Sequence, residues 1–268
     1  MSDFSSYSLL TTVYGKIRAR SPIRIGAGRG MGVVTSDLPV IKNAKEKPVI
    51  PGSSLKGFFR GHLQKLLLAK MGETEADRML REIFGGVKDD DGASAILFHE
   101  LEMKNGKVAE RKHIAINPET GGVRNLFDVE CVLEGAVFEG RILSARNLNP
   151  KALALLKPVL DLADLGLGRI GGFKSRGYGE VDIGFEELAF IFPGKDLGEL
   201  KRGFEINDLI PDRFGSIRVQ MSDGWINFED FSFKAETRES KTYFGVEVML
   251  RDGEVTRFLD TMLQLVKL

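Results

Sequence analysis

The stretch "GLGRIGGFKSRGYGEV" (residues 166–181) decides how the chain is built. Gly166, Gly168 and Gly171 spell G-x-G-x-x-G, and Lys174-Ser175 imitates the end of a phosphate-binding loop. A dinucleotide fingerprint must follow a strand and open a helix, because the helix N-terminus supplies the free N–H groups that hold a pyrophosphate. Here the order is reversed. The stretch leaves "KALALLKPVLDLADLGLG", whose apolar spacing predicts a helix, and enters "GYGEVDIGF", which reads as a strand. The phosphate-loop match fails as well, since Phe173 stands where GK[ST] requires Gly. What remains is Gly166, Gly168, Gly171, Gly172, Gly177 and Gly179, with Arg169, Lys174 and Arg176 among them. Such a loop lets a sugar-phosphate chain lie against the backbone, or it simply connects a helix to a strand.

Working outward, "YGKIRARSPI" (residues 14–23) alternates as a strand, with Ile17 on one face and Lys16, Arg18 and Arg20 on the other. The Gly- and Pro-punctuated residues 24–52 read as a long loop, and long loops inside a compact domain usually carry function. "SSLKGFFRGHLQKLLLAKMG" is an amphipathic helix capped by Ser53 or Ser54, with Leu55, Phe59, Leu63, Leu66 and Leu67 as its apolar stripe. Lys56, Arg60 and Gln64 share the opposite face, and Gly57 and Gly61 beside them suggest a close backbone approach. A second helix, "TEADRMLREIFG", ends at Gly85, and a strand begins after an acidic turn in "DDDGASAILFHELEM". Residues 110–145 read as a strand, a projecting Gly-rich loop and a long strand, and Pro158 either kinks the following helix or begins its second half.

The order strand, helix, strand, strand, helix, strand predicts an α+β fold of the ferredoxin-like (RRM-like) plan, an antiparallel sheet with two packed helices. Residues 1–185 form this core with its projecting hairpin. Residues 186–268 form a β-rich C-terminal extension that ends in a helix, "VTRFLDTMLQLVKL".

With 268 residues, 43% apolar and 28% charged, the composition excludes a disordered chain. The single cysteine, Cys131, excludes an internal disulfide and a thiolate metal cluster. No signal segment or membrane span is evident, so a cytoplasmic protein is expected. The net charge of zero is unevenly laid out. Residues 15–65 hold eleven Lys or Arg against Asp37 and Glu46, whereas residues 186–268 hold sixteen acidic and eleven basic residues. The first part is suited to a polyanion, the tail to solvent or a basic partner.

"KPVIPGSSLKGFFRGHL" (residues 47–63) followed by "GGFKSRGYGEV" (residues 171–181) resembles the RAMP superfamily of CRISPR-associated proteins, in particular the repeated backbone subunit of type III (Csm/Cmr) effector complexes. "SPIRIGAG", "SDLPVIKN" and "HIAINPETGGVRNLFDVECVLEGAVFEGRI" match in the same order, so the resemblance covers roughly residues 12–185. It implies a subunit that polymerises with copies of itself and other complex subunits along a guide CRISPR RNA. The hairpin would act as a thumb that displaces a nucleotide of the target RNA. An Asp in the loop before the first helix is the family's cutting residue, and Asp37 occupies that place.

On this reading Asp37 is the candidate catalytic residue and the holder of a divalent metal, Mg or Mn. The RNA-binding candidates are Arg18, Arg20, Ser53, Ser54, Lys56, Arg60, Arg169, Gly171, Gly172, Lys174, Ser175 and Arg176. RNA needs little apparatus to be cut, because its 2′-OH attacks the adjacent phosphate once the two are in line. An Asp would accept that proton or hold the cation. The alternatives are a non-cleaving scaffold, a guide-processing endoribonuclease, for which no His, Tyr or Lys constellation is evident, and a nucleotide-binding metabolic enzyme.

Overall fold

The computed structural model describes residues 6–28, 36–86, 93–239 and 245–266. Residues 29–35 of the expected long loop, with Arg29, lie outside them, as do residues 87–92 around the expected acidic turn and residues 240–244.

The chain opens with β1 (Leu10–Ala19), the short β2 (Val49–Ile50) and helices α1 (Gly52–Leu68) and α2 (Glu73–Phe84). Then come β3 (Ile96–Phe98), β4 (Leu101–Asn105), β5 (Val108–Ile116), β6 (Val123–Val132) and β7 (Val137–Arg146). Helices α3 (Pro150–Ala154) and α4 (Lys157–Asp164) precede the Gly-rich loop, which feeds β8 (Val181–Phe192). The remainder comprises α5 (Leu197–Arg202), β9 (Phe204–Ile206), β10 (Ile217–Ser222), β11 (Trp225–Phe228), β12 (Phe231–Lys234), β13 (Glu236–Glu239), β14 (Val246–Arg251) and α6 (Gly253–Gln264).

The architecture is α+β. The main sheet runs β13-β14-β8-β1-β7-β4-β2, with β3 also on β7, and its pairs are antiparallel. A second sheet, β12-β11-β10-β9, belongs to the C-terminal part, and β5 pairs with β6 as a separate hairpin. The expected projecting loop is therefore strand for most of its length, with only residues 117–122 left as its tip.

The alternation of β1 sorts the sheet's two faces: Thr11, Val13, Ile17 and Ala19 are buried, while Lys16 is half-buried and Arg18 exposed. Helices α1 and α4 touch one another and pack against β3 and β8 respectively. In α1 the apolar stripe buries Leu55, Phe58, Phe59, Leu63 and Leu67. Phe59 stacks on Phe98 with ring centres 5.4 Å apart, and Phe84 stacks on the same ring at 6.2 Å, so β3 is clamped beneath both helices. Pro158 lies in the first turn of α4, where a missing N–H costs nothing, and so begins a helix rather than kinking one.

Position 185 falls inside β8, which pairs with β1 on one edge and β14 on the other. Phe190 from this strand meets Phe228 and Phe258 at 4.8 and 5.2 Å, and Phe233 closes on Phe258 at 5.0 Å. The extension is thus packed onto the main sheet by fully buried phenyl rings.

Candidate nucleic-acid interface

Asp37 sits on a loop that runs beside the base of the hairpin. Leu38 bridges Val129 of β6 in parallel, and the loop's Ser36 Oγ donates to the Asp128 carbonyl at 3.0 Å. The Asp128 N–H donates to Asp37 Oδ2 at 3.0 Å, so one carboxylate oxygen is oriented by the hairpin strand. The side chain is exposed, and among the described residues no cation pairs with it. No group of three or more His, Cys, Asp or Glu able to hold a metal occurs among the described residues. Mg²⁺ commonly takes one or two protein carboxylates and completes its shell with water and substrate phosphate, and a single exposed Asp fits that mode.

The Gly-rich loop is a folded element rather than a slack connector. Ile170 N–H donates to the Gly179 carbonyl, Gly172 N–H to that of Arg24 and Gly179 N–H to that of Pro22, at 2.8–2.9 Å. Gly171 has a φ of +79°, and a Cβ there would lie 2.3 Å from the Arg24 carbonyl oxygen; at Gly179, with φ +86°, it would lie 2.1 Å from that of Ile170. These two glycines clear room for the chain's own backbone. Between them a short 3₁₀ turn, Lys174–Arg176, presents Lys174, Ser175 and Arg176 to solvent. Arg169, by contrast, is turned onto Glu180 at 3.4 Å.

Helix α1 begins without a side-chain cap. Pro51 is its N-cap residue, which places Ser53 and Ser54 inside the first turn and corrects their reading as caps. Free N–H groups and hydroxyls at the start of a long helix favour an anion. Lys56 is lowered from its ordinary pKa by burial and by the nearby Arg60 guanidinium, as expected for cations lacking a counter-ion. Arg60 donates one N–H to the Gly85 carbonyl at 2.8 Å, tying α1 to the end of α2. A Cβ built on Gly57 or Gly61 meets nothing within 4 Å, so the close approach expected there does not come from this chain. His62 packs on Phe58, and its pKa is lowered by burial and then by the charges of Lys65 and Lys174.

The excess of cations in the first part of the chain is partly neutralised by folding. Lys16 pairs with Glu186 at 3.0 Å, Arg20 with Asp182 at 3.2 Å, Lys42 with Glu130 at 2.7 Å and Lys47 with Glu102 at 2.8 Å. Arg18, Arg24, Lys56 and Arg60 carry no ion pair among the described residues.

Folding brings His113 of the hairpin onto aromatic residues of the Gly-rich loop, a cluster that as a whole has no local signature. His113 of β5 stacks between Phe127 and Phe173 at 5.8 and 5.3 Å, and its Nε2 lies 2.8 Å from the Tyr178 hydroxyl. Arg24 and Arg176 sit over the Phe173 ring at 5.2 and 5.0 Å, and Arg111 over Tyr178 at 5.9 Å. A His–Tyr pair therefore exists, which corrects the expectation of none. Tyr178, however, is only 3% exposed, so its hydroxyl is closed to a substrate. The available signal was the Arg111–His113 alternation on one strand face; the partner Tyr178 lies 65 residues away. Further out, Ile114, Ile116, Val123 and Leu126 are more than half exposed, and register places Ile114 opposite Leu126 and Ile116 opposite Val123.

The family model described as the RAMP superfamily matches residues 16–182. A curated relative, "CRISPR system Cms endoribonuclease Csm3" of Streptococcus thermophilus, is 27% identical over 200 residues, covering 65% of this chain and 89% of its own length. Among solved structures, a chain of the type III-B Cmr-beta complex bound to cognate target RNA aligns with a TM-score of 0.49 and 21% identity, over 65% of this chain and 59% of that one. The family match runs from the end of β1 through α1, the hairpin and the Gly-rich loop, and the chain belongs to the RAMP superfamily.

No helix among the described residues is long and apolar enough to cross a membrane.

Proposed function

We propose that the chain is a guide-RNA-binding backbone subunit of a type III CRISPR ribonucleoprotein, that it assembles with copies of itself and other subunits in the cytoplasm, and that it cuts bound target RNA at Asp37. The observation that carries the reading is the exposed Asp37 carboxylate, one oxygen of which is held by the strand of an apolar-faced projecting hairpin. The similarity to a Csm3 endoribonuclease supports it. So does the strand sequence β8-β1-β7-β4, which is the order of a ferredoxin-like sheet.

The guide's backbone would lie across the N-terminal turn of α1 and the 3₁₀ turn of the Gly-rich loop. Lys56, Arg60, Lys174 and Arg176 would neutralise phosphates, with Arg18 and Arg24 at the margins, while Ser53, Ser54, Ser175, Gly171 and Gly172 supply polar and backbone contacts. Arg20 and Arg169 are spent on carboxylates within the chain and would act by shaping the groove.

The exposed Ile114, Ile116, Val123 and Leu126 suit a wedge that unstacks one target nucleotide. Splaying that nucleotide would bring its 2′-oxygen in line with the adjacent phosphorus. The 2′-oxygen attacks, Asp37 takes its proton, and the 5′-oxygen leaves with a proton from water, giving a 2′,3′-cyclic phosphate and a 5′-hydroxyl end. In its alternative role Asp37 would instead hold a Mg²⁺ or Mn²⁺, which would stabilise the developing charge while water takes the proton.

The complex purified from its own host should carry discrete RNA, seen as a raised 260/280 nm absorbance ratio and identified by sequencing as CRISPR spacer transcripts. Protein free of RNA, or carrying unrelated RNA, would overturn the assignment.

A further inference from the structure

We propose that Glu130 is a positioning residue for the cutting carboxylate, an inference that rests on the assignment of Asp37. Residues 36–42 are laced to residues 128–130 of β6 along their length. Leu38 N–H donates to the Asp128 carbonyl at 3.2 Å, and Glu130 N–H donates back to the Leu38 carbonyl at 3.1 Å. The Glu130 side chain then bridges the loop's far end: Oε2 accepts from Val40 N–H at 2.9 Å and Oε1 accepts from Lys42 Nζ at 2.7 Å. Asp37, Val40 and Lys42 are thereby all referred to two residues of one strand, Asp128 and Glu130.

Burial makes this clamp more than a surface pair. The Glu130 side chain is 13% exposed and that of Lys42 30%, so solvent screens the pair less than it would two exposed side chains. With both carboxylate oxygens already accepting bonds, Glu130 is not placed to take a substrate proton. Its effect reaches the chemistry through the loop backbone, which sets where Asp37 stands. An in-line attack tolerates little error, and a displacement of about 1 Å costs about 10²-fold in rate.

The loop has a second set of ties that does not involve Glu130. Ile41 N–H donates to the Ile25 carbonyl at 2.8 Å, and Ala27 N–H to that of Pro39 at 3.1 Å. Removing the Glu130 side chain should therefore leave the loop folded and Leu38 paired with β6, with the Val40–Lys42 end released and the loop beside Asp37 less tightly held.

The test is single-turnover cutting of a complementary target RNA by the guide-loaded complex carrying wild-type chain, Glu130→Ala, Glu130→Gln or Asp37→Ala. Glu130→Ala is expected to slow cutting by about tenfold or more, within the range that misplacement produces. Guide affinity, target affinity and melting temperature should stay near wild type. Glu130→Gln keeps an acceptor for Val40 N–H but loses the charge facing Lys42, so its rate should fall between the two. In an Asp37→Ala background Glu130→Ala should have no further effect. Should Glu130→Ala fail to assemble, Glu130→Gln alone decides. Rates within twofold of wild type for the assembled Glu130 variants, with Asp37→Ala inactive, overturn the clamp and leave the Asp37 assignment standing. Slowing matched by an equal loss of RNA affinity or of stability also overturns it. Undiminished cutting by Asp37→Ala overturns the Asp37 assignment, and the clamp falls with it.

Discussion

Lys174 and Arg176 flank Ser175 on a turn whose backbone is fixed by bonds to residues 22–24, and nothing in the chain neutralises them among the described residues. If they meet guide phosphates, Lys174→Ala should weaken RNA binding for every guide sequence alike. Because each neutralised phosphate on a single strand contributes a slope of about −0.7 to log K against log salt, the slope should become shallower by about that amount. A titration of fluorescent guide RNA at several salt concentrations reads it; an unchanged slope would remove Lys174 from the interface.

Gly57 sets stability against binding. Its position in an exposed helix interior with open space around it means that Gly57→Ala should raise stability by about 0.5–1 kcal/mol. If RNA lies along that flank, the same methyl should weaken guide binding. Thermal melts and RNA titrations on one variant check both, and a gain in stability with unchanged RNA affinity would place the guide elsewhere.

Among elements, the β5–β6 hairpin joins both halves of the proposed site. Its β5 side packs His113 against Phe173 and Tyr178 of the Gly-rich loop, and its β6 side holds the Asp37 loop. The outer half exposes Ile114 and Ile116, so replacing either with Ser removes no buried contact. Ile116→Ser should leave stability within about 0.5 kcal/mol while slowing target cutting, with guide binding unaffected. Equal cutting by wild type and Ile116→Ser would deny the hairpin its wedging role.

How much of this could be read beforehand differs by element. Helix α1, the end of α2 at Gly85 and the cationic face of β1 follow from local spacing, which a sequence carries directly. The hairpin's strand character was underestimated because "NPETGG" and the glycines near it mark a turn while the flanking charges mask the alternation. Asp37 was found through resemblance, whereas its bond to Asp128 joins residues 91 positions apart and has no local signature. The same holds for the ion pairs that absorb Lys16, Arg20, Lys42 and Lys47: a count over residues 15–65 shows nine excess positive charges, and only folding shows which are already matched.

For the whole molecule, stability should depend on pH through its three histidines. His62, His99 and His113 are all lowered from the ordinary value of about 6.5, each chiefly by burial and further by neighbouring cations. The unfolded chain therefore binds protons more readily than the folded one. The stabilisation is fully present above about pH 6.5 and is lost as pH falls through the lowered folded values. Melting temperature should be flat with respect to these groups above pH 6.5 and decline below it, and His113→Gln, which lies outside the α1 core, should make the decline shallower.

The central claim concerns Asp37, and Asp37→Asn tests it most directly. The amide oxygen still accepts from Asp128 N–H but neither takes a proton nor carries charge, so the loop and its RNA contacts are preserved. A guide-loaded complex bearing this substitution should bind complementary target RNA as tightly as wild type and cut it at least about 10²-fold more slowly, the lower end of what a general base contributes. Cutting at the wild-type rate, with the same cyclic-phosphate products, would contradict the account.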